Sequence, residues 1–233
     1  MSDDALNESL AALSKFFVGD NTMEATLDRV AHMAARAVAP AAMAGITMME
    51  RNRPGTSVFT DPEVPHIDQR QYETGVGPCL DSFRTGAVIA VVSTKTDDRW
   101  PPFSEACLDH GVMSTLSLPL TCEDVTHGAL NFYAREEAAF TPEHLGSASA
   151  FAVHAAIVLA NARAYWNAHE KAEQLQQAIT TRAVIEQAKG IVMSSMRCSP
   201  DDAFQVLVTQ SQQQNRKLRD VAEEVVRLAT RRH

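Results

Sequence analysis

The chain has 233 residues, 45% of them hydrophobic and 21% charged, enough apolar material for one large or two small folded domains and unlike a disordered chain. Its 10 glycines and 10 prolines are widely scattered, which excludes collagen-like and linker-dominated sequences. With 21 Lys and Arg against 29 Asp and Glu the formal charge is -8, which as a whole-chain average argues against a polyanionic partner.

The opening Met1-Ser2-Asp3-Asp4 has neither a basic n-region nor an apolar h-region, so a cytoplasmic protein is expected. Cys79, Cys107, Cys122 and Cys198 are dispersed and form no C-x-x-C pair, which fits a reducing compartment and gives no reason to expect zinc. Residues 144–162 contain no Asp, Glu, Lys or Arg and approach the length of a membrane span. The run is rich in alanine and includes Gly146, Ser147, Ser149, His154 and Asn161. That is too weakly apolar for lipid and suited to close helix packing, so no membrane is expected.

Helical periodicity opens the chain. Residues 5–17 space Leu6, Leu10, Leu13 and Phe17 three and four apart, and residues 23–38 repeat the pattern with Leu27, Val30, Ala31 and Ala34. After Pro40 come short alternating or apolar runs at 45–49, 57–60, 88–93, 115–120 and 128–133, read as five strands, with short helices or loops at 67–73, 80–84 and 103–110. This mixed order predicts an α+β domain with an antiparallel sheet flanked by helices.

From Thr141 the helical period returns and continues to about Met196. Thr141 is read as the N-cap, Pro142 as N1 and Glu143 as a first-turn acid. Leu145, Ala148, Ala152, Ala155, Leu159, Ala162, Trp166 and His169 recur three and four apart, the seam of a coiled coil, and a homodimer through this long helix is expected, with packing on the domain's own first helices as the alternative. Ser199-Pro200-Asp201-Asp202 starts another helix with Ala203, Phe204, Leu207 and Ser211 on its apolar face. A last helix after Asn215 carries Leu218, Val221, Ala222, Val225 and Ala229, completing an all-α three-helix bundle.

Gln187-Ala188-Lys189-Gly190-Ile191-Val192-Met193, preceded by Arg182 and Ile185-Glu186 and followed by Ala203-Phe204, Leu207, Asn215 and Lys217-Leu218-Arg219-Asp220-Val221-Ala222, closely resembles the ANTAR family over residues 172–230. The resemblance implies a three-helix RNA-binding module of bacterial transcription antiterminators that recognises paired hairpins in leader transcripts. Tyr72, Gly75-Val76-Gly77-Pro78-Cys79-Leu80, Arg84-Thr85-Gly86, Arg99-Trp100-Pro101 and Gly128-Ala129-Leu130-Asn131-Phe132-Tyr133 resemble a GAF domain of the kind joined to ANTAR modules in actinobacterial regulators. The expected domains are a GAF-type sensor at 1–162, a coiled-coil linker at 163–178 and an ANTAR domain at 179–233. The implied protein is a non-enzymatic, signal-responsive antitermination regulator.

Helical spacing sets Arg182, Glu186, Lys189 and Met193 on one face, while Val184, Ile185, Ala188, Ile191 and Val192 form an apolar side. Arg182, Lys189, Arg216, Lys217 and Arg219 are the expected RNA contacts, although Glu186 is placed to neutralise Arg182 or Lys189. Ile185, Ala188, Gly190, Ala203, Phe204, Leu207, Leu218, Val221 and Ala222 are the expected core, Gly190 admitting a neighbouring helix. Many family members carry a basic residue after the second helix's leucine; here Leu207-Val208 stands instead, one phosphate contact fewer.

Phe83, Trp100, Phe103, Met113 and Phe132 are the candidate lining of a sensory pocket, or plain core. The Asn-Lys-Phe-Asp-Glu set of cyclic-nucleotide GAF domains and the bilin-type Cys-His pair are not discernible, and the cofactor is left unknown. His110, His127, His144 and His154 keep haem open, but a lone histidine is usually structural. The rival readings are a GAF-fold thiol enzyme of the methionine sulfoxide reductase kind using Cys79, Cys107 and Cys122, and a DNA-binding or purely dimerising bundle. Against DNA stands the link Gln212-Gln213-Gln214-Asn215, polar and unlike a tight glycine turn.

Divided at Ala172, the charge separates. Residues 1–171 carry 12 Lys and Arg against 22 Asp and Glu, net -10, whereas 172–233 carry 9 against 7, net +2. The acidity belongs to the sensor, and the average charge no longer argues against nucleic acid. The acidic domain is expected to hold RNA off until dimerisation or a signal moves the basic module clear.

Overall fold

The computed structural model describes residues 2–14, 22–50 and 53–230. Phe17, at the end of the first expected helix, and Arg231 and Arg232 lie outside the described residues. Helix α1 is Ser2–Ser14 and α2 is Met23–Ala37, the latter capped by Thr22, whose Oγ1 accepts the Ala25 N–H at 3.1 Å. Strands β1 (Met43–Glu50) and β2 (Arg53–Phe59) are followed by α3 (Val64–Thr74) and α4 (Pro78–Thr85), then β3 (Ile89–Val91), α5 (Pro101–Asp109), β4 (Ser114–Cys122) and β5 (Val125–Ala134). Three helices follow: α6 (Pro142–Met196), α7 (Pro200–Gln214) and α8 (Leu218–Thr230). The strands form one sheet in the order β2-β1-β5-β4-β3, every neighbouring pair antiparallel, so the α+β class and the all-helical C-terminus are as expected. The chain divides into two compact units, Met1–Trp166 and Asn167–His233.

Period-two alternation gives the sheet two different faces. Ala44, Ile46 and Met48 of β1, Leu116, Leu118 and Leu120 of β4, and Leu130 and Phe132 of β5 point to one side, into a core shared with Leu27, Val30 and Ala34 of α2. The intervening residues Met43 and Tyr133 point to the other side, where Val64 and Ile67 of α3 and Phe103 and Cys107 of α5 cover them. Strand β3 is shorter than the run 88–93: it pairs with β4 only over Ile89–Val91, and Val88 and Val92 are exposed. The Arg99 guanidinium instead donates to the Ala90 carbonyl at 2.7 Å, covering part of this edge strand.

Helix α6 starts as its sequence implies, the His144 N–H reaching the Thr141 hydroxyl and the Leu145 N–H the Thr141 carbonyl. Within the first unit Ala148, Ala152, Ala155 and Leu159 are buried in the same core as α2 and the sheet, with Leu145 packed against it. The long helix fits a coiled coil, and this first part of its seam is filled by the chain itself, the packing on its own helices that stood as the alternative. Alanine and leucine at that spacing suit a sheet face as well as a partner helix. Val153 and Ile157, off the seam, are 57% and 45% exposed.

In the second unit Ala188, Val192, Ala203, Leu207, Val221 and Ala222 are buried together, with Ile185 and Leu218 packed against them. A capping box opens α7, the Ser199 hydroxyl accepting the Asp202 N–H while Asp202 takes the Ser199 N–H. Two residues assigned to this core stand outside it. Phe204 is 41% exposed, since it follows Ala203 on the helix and turns away from the Leu207 row. Gly190 is exposed and a Cβ there would meet nothing within 4 Å, so no close helix approach demands it. The glutamine run also differs from expectation. It belongs to α7, and the connection to α8 is only Asn215, Arg216 and Lys217, with Asn215 at φ 50 in the left-handed region. The turn is tight, and linker length gives no argument against DNA.

Candidate functional site

Three elements of the second unit, α6, the turn after α7 and α8, hold the expected RNA contacts, which fall into two electrostatic groups. Lys189 Nζ lies 2.7 Å from Glu186 Oε2 one helical turn away. The Arg216 guanidinium spans the turn to Glu224 at 2.5 Å and also donates to Gln214 and to the Asp220 carbonyl, so it braces the α7–α8 corner. Arg219 Nε donates to Glu223 Oε1 at 2.7 Å, a bond that pushes the guanidinium pKa further above its ordinary value and is the (i, i+4) pair its sequence implies. Its counterpart is Glu224, held below the usual carboxylate range by the hydrogen bond from Arg216. Among the described residues Arg182 and Lys217 make no ion pair, and both are exposed. Arg182 opens onto a groove of about 510 Å³ lined by Gln174, Gln177, Ala178, Thr181, Ile185, Glu186 and Phe204.

In the first unit the sheet's second face is buried yet polar. Asp68 and Gln71 of α3 are fully buried; Asp68 Oδ1 accepts the Tyr133 hydroxyl at 2.6 Å and the Gln71 amide at 2.7 Å. Gln71 Oε1 in turn accepts the Cys79 N–H at 3.0 Å, satisfying a donor at the start of α4. A Cβ on Gly77 would stand 2.3 Å from Gln71 Cβ, so the glycine before Pro78 is what lets this amide reach α4. Thr47 joins Tyr72 at 2.8 Å and accepts from Asn131 at 3.1 Å, while Asn131 Oδ1 and Thr115 Oγ1 are buried with no hydrogen-bond partner among the described residues. Burial pushes the Cys79 thiol up to about 12, with the Asp68 charge adding and Thr47 and Asn131 opposing. Burial and then Asp68 also raise the Cys107 thiol and the Tyr133 phenol well above their ordinary values. These thiols are neutral and enclosed, the reverse of an activated nucleophile.

The five expected pocket residues do not come together. Trp100 and Phe103 are buried on the α3–α5 side, whereas Phe132 lies on the opposite face among α2, β4 and α6. One step along a strand reverses the side chain, so Phe132 cannot line a pocket with Trp100. Phe83 and Met113 are half-buried and belong to neither core. Trp100 Nε1 donates to Asp81 Oδ2 at 3.0 Å, and Arg99, its guanidinium carbon 4.3 Å from the Trp100 ring centroid, is bound to Asp97. That bond holds the Asp97 carboxyl below its usual value. Of the candidate haem histidines, His110 stacks on His66 and His154 pairs with the Ala150 carbonyl. Burial and then Arg163 lower the His127 pKa. Among the described residues no three His, Cys, Asp or Glu are grouped to hold a metal.

With this arrangement in view, comparison with known proteins is decisive at the level of family. Residues 20–160 match the GAF domain family. The chain belongs to that family. Residues 173–226 match the ANTAR domain, so a sensory GAF domain and an RNA-binding antitermination domain are joined in one chain. No curated protein sequence matches it. Among solved structures, the GAF domain from Acinetobacter phosphoenolpyruvate-protein phosphotransferase is 14% identical with TM-score 0.53, covering 69% of this chain and 93% of that one. Free methionine-R-sulfoxide reductase from Neisseria meningitidis, in complex with its substrate, is 14% identical with TM-score 0.55, covering 70% of this chain and 91% of that one. The reduced form of fRMsr of Staphylococcus aureus gives 14% and 0.54, over 68% and 94%. Likeness at this identity shows the GAF fold. The Tyr72–Thr47–Asn131 and Tyr133–Asp68–Gln71 groups were not legible in the sequence, since most of the partners are far apart in it, although Asn131, Tyr133 and Gly77 lie in the motifs that carry the GAF resemblance.

Proposed function

We propose that this GAF-ANTAR chain is a signal-responsive, non-enzymatic antitermination regulator of the cytoplasm. The GAF domain receives a small molecule or a protein partner and controls presentation of the ANTAR domain to paired hairpins in leader transcripts. The observation that carries the reading is the ANTAR match together with exposed Arg182 and Lys217, which make no ion pair among the described residues, in the unit whose net charge is positive. The other three cations are held by exposed acids, pairs that cost little to open when a phosphate competes. Burial of Cys79 and Cys107 speaks against the thiol-enzyme alternative, because a reductase needs an accessible thiolate. Domain limits of 1–162, 163–178 and 179–233 fit this division of labour.

A homodimer through α6 belongs to the same proposal. Its support lies beyond the filled seam, where Leu175 and Ile179 are 63% and 55% exposed. Binding of the whole chain to a two-hairpin leader RNA, measured against non-specific RNA, tests the reading, with mass followed by sedimentation. The expected result is specific binding by a species of twice the chain mass, weakened at least tenfold by Arg182→Ala with Lys189→Ala. Specific binding absent from every two-hairpin RNA tried, or unchanged in that double variant, would sink it.

A further inference from the structure

Resting on the RNA reading, we propose that Phe204 and Arg182 form a nucleotide pocket in which one unpaired base of an RNA loop stacks on the Phe204 ring while its phosphate meets the Arg182 guanidinium. Phe204 is an aromatic residue of a small helical bundle left 41% exposed, although buried Ala203 and Leu207 beside it show that α7 has an interior face available. It lines the same groove as Arg182, whose guanidinium makes no ion pair among the described residues. The groove is open to solvent, and its volume of about 510 Å³ is room enough for a single nucleotide.

The lining is chemically graded. Phe204 and Ile185 give an apolar wall for a base face, and Arg182 gives the charge for its phosphate. The Gln177 amide stands at the same groove to meet a base edge, beside Gln174, whose Nε2 donates to Glu170 Oε1 at 3.1 Å. Glu186 also lines it, but its carboxylate is engaged by Lys189 at 2.7 Å, so it does not simply cancel Arg182. Duplex RNA keeps its bases stacked and its A-form major groove closed to side chains, so an aromatic ring beside a cation fits a splayed loop base better than a paired stem.

The test uses the full chain and hairpin RNAs selected from a pool with randomised loops, each loop position then replaced in turn by 2-aminopurine or by an abasic site. One loop position should show a fluorescence change on binding that Phe204→Leu abolishes, and Phe204→Leu should weaken binding about tenfold. Phe204→Tyr should restore it, and the abasic site at that position should remove the difference between Leu and Phe. The slope of log affinity against log salt should stay unchanged in Phe204→Leu and fall by about one in Arg182→Ala. Undiminished binding by Phe204→Leu, or an equal loss on every abasic loop, would overturn the stacking site while leaving RNA binding intact. A change of oligomeric mass in place of affinity would make the groove a contact between copies, and absence of specific hairpin binding by the unmodified chain would remove the RNA reading and this site together.

Discussion

The GAF unit sets one apolar sheet face against one buried polar face, whereas the ANTAR unit has a single core of six buried residues and keeps its polar chemistry at the surface. Asp68, Gln71, Tyr133, Thr47 and Asn131 are withdrawn from water and bonded largely to one another, so their arrangement can change only when α3 and α4 repack on the sheet. Lys189, Arg216 and Arg219 hold exposed acids instead, and each can exchange a carboxylate for a phosphate with little disturbance of the backbone. One unit is built to hold a packed state, the other to trade partners. A sensor coupled to a binder needs that division.

The comparison breaks first, and most severely, if the two units do not unfold separately. Phe132, fully buried between the sheet and α6, should cost about 3–5 kcal/mol as Phe132→Ala, a cavity that only the GAF unit feels. Leu207→Ala should cost about 2–5 kcal/mol in the ANTAR unit, a large fraction of what a core of six residues supplies. Calorimetry of the full chain should resolve two transitions, each variant lowering one. A single transition lowered by both would show one cooperative body.

Much of this division was legible in sequence. The strand runs, the Thr141 and Ser199 helix starts, and the charge change at Ala172 are local signals, and local signals survive folding. Three features were not. Helix α6 reads as a coiled-coil seam because small and apolar residues three and four apart suit a sheet face as well as a partner helix, and Ala148 to Leu159 went to the sheet. Phe132 and Tyr133 are neighbours on one strand and must point to opposite faces, but which face meets α2 and which meets α3 and α5 depends on the tertiary packing, which the motif does not show. Arg216 lies in the turn and Glu224 eight residues on in α8, and the turn's tightness depends on Asn215 adopting a left-handed conformation, so their pairing escapes helical spacing rules.

Alkaline pH sharpens the contrast. Cys79 is raised from 9.0 to about 12 in the folded GAF unit, and Cys107 and Tyr133 are raised as well. A raised folded pKa means that the unfolded chain loses its proton first. The stabilisation from Cys79 is therefore complete below pH 9 and is lost as pH climbs toward 12, at about 1.4 kcal/mol per pH unit for each such group. The ANTAR unit contains no tyrosine, and its one cysteine, Cys198, is half-buried, so its transition should respond less over the same range. Urea unfolding at pH 8, 9.5 and 11 checks this, with Cys79→Ala expected to flatten the GAF unit's decline. An ANTAR transition falling as steeply would show that buried thiols and phenols do not set the difference.

The smallest effect lies where the two units differ in how readily charges change partner. Glu224 holds Arg216, and Glu224→Gln removes the acid while keeping the amide's size and hydrogen-bonding capacity. The pair is exposed, and the Asn215 turn retains the Ser211 hydroxyl bond to the Arg216 carbonyl, so helix content and melting should hardly move. Freed of its carboxylate, Arg216 should improve hairpin RNA affinity about twofold at low salt and steepen the salt dependence by up to one phosphate contact. If the variant instead lowers affinity and loosens α8, as read by hydrogen exchange at residues 218–222, the Arg216–Glu224 pair is a structural brace of the corner. Among the expected RNA contacts, the pairs left to exchange a carboxylate for a phosphate are then Lys189–Glu186 and Arg219–Glu223.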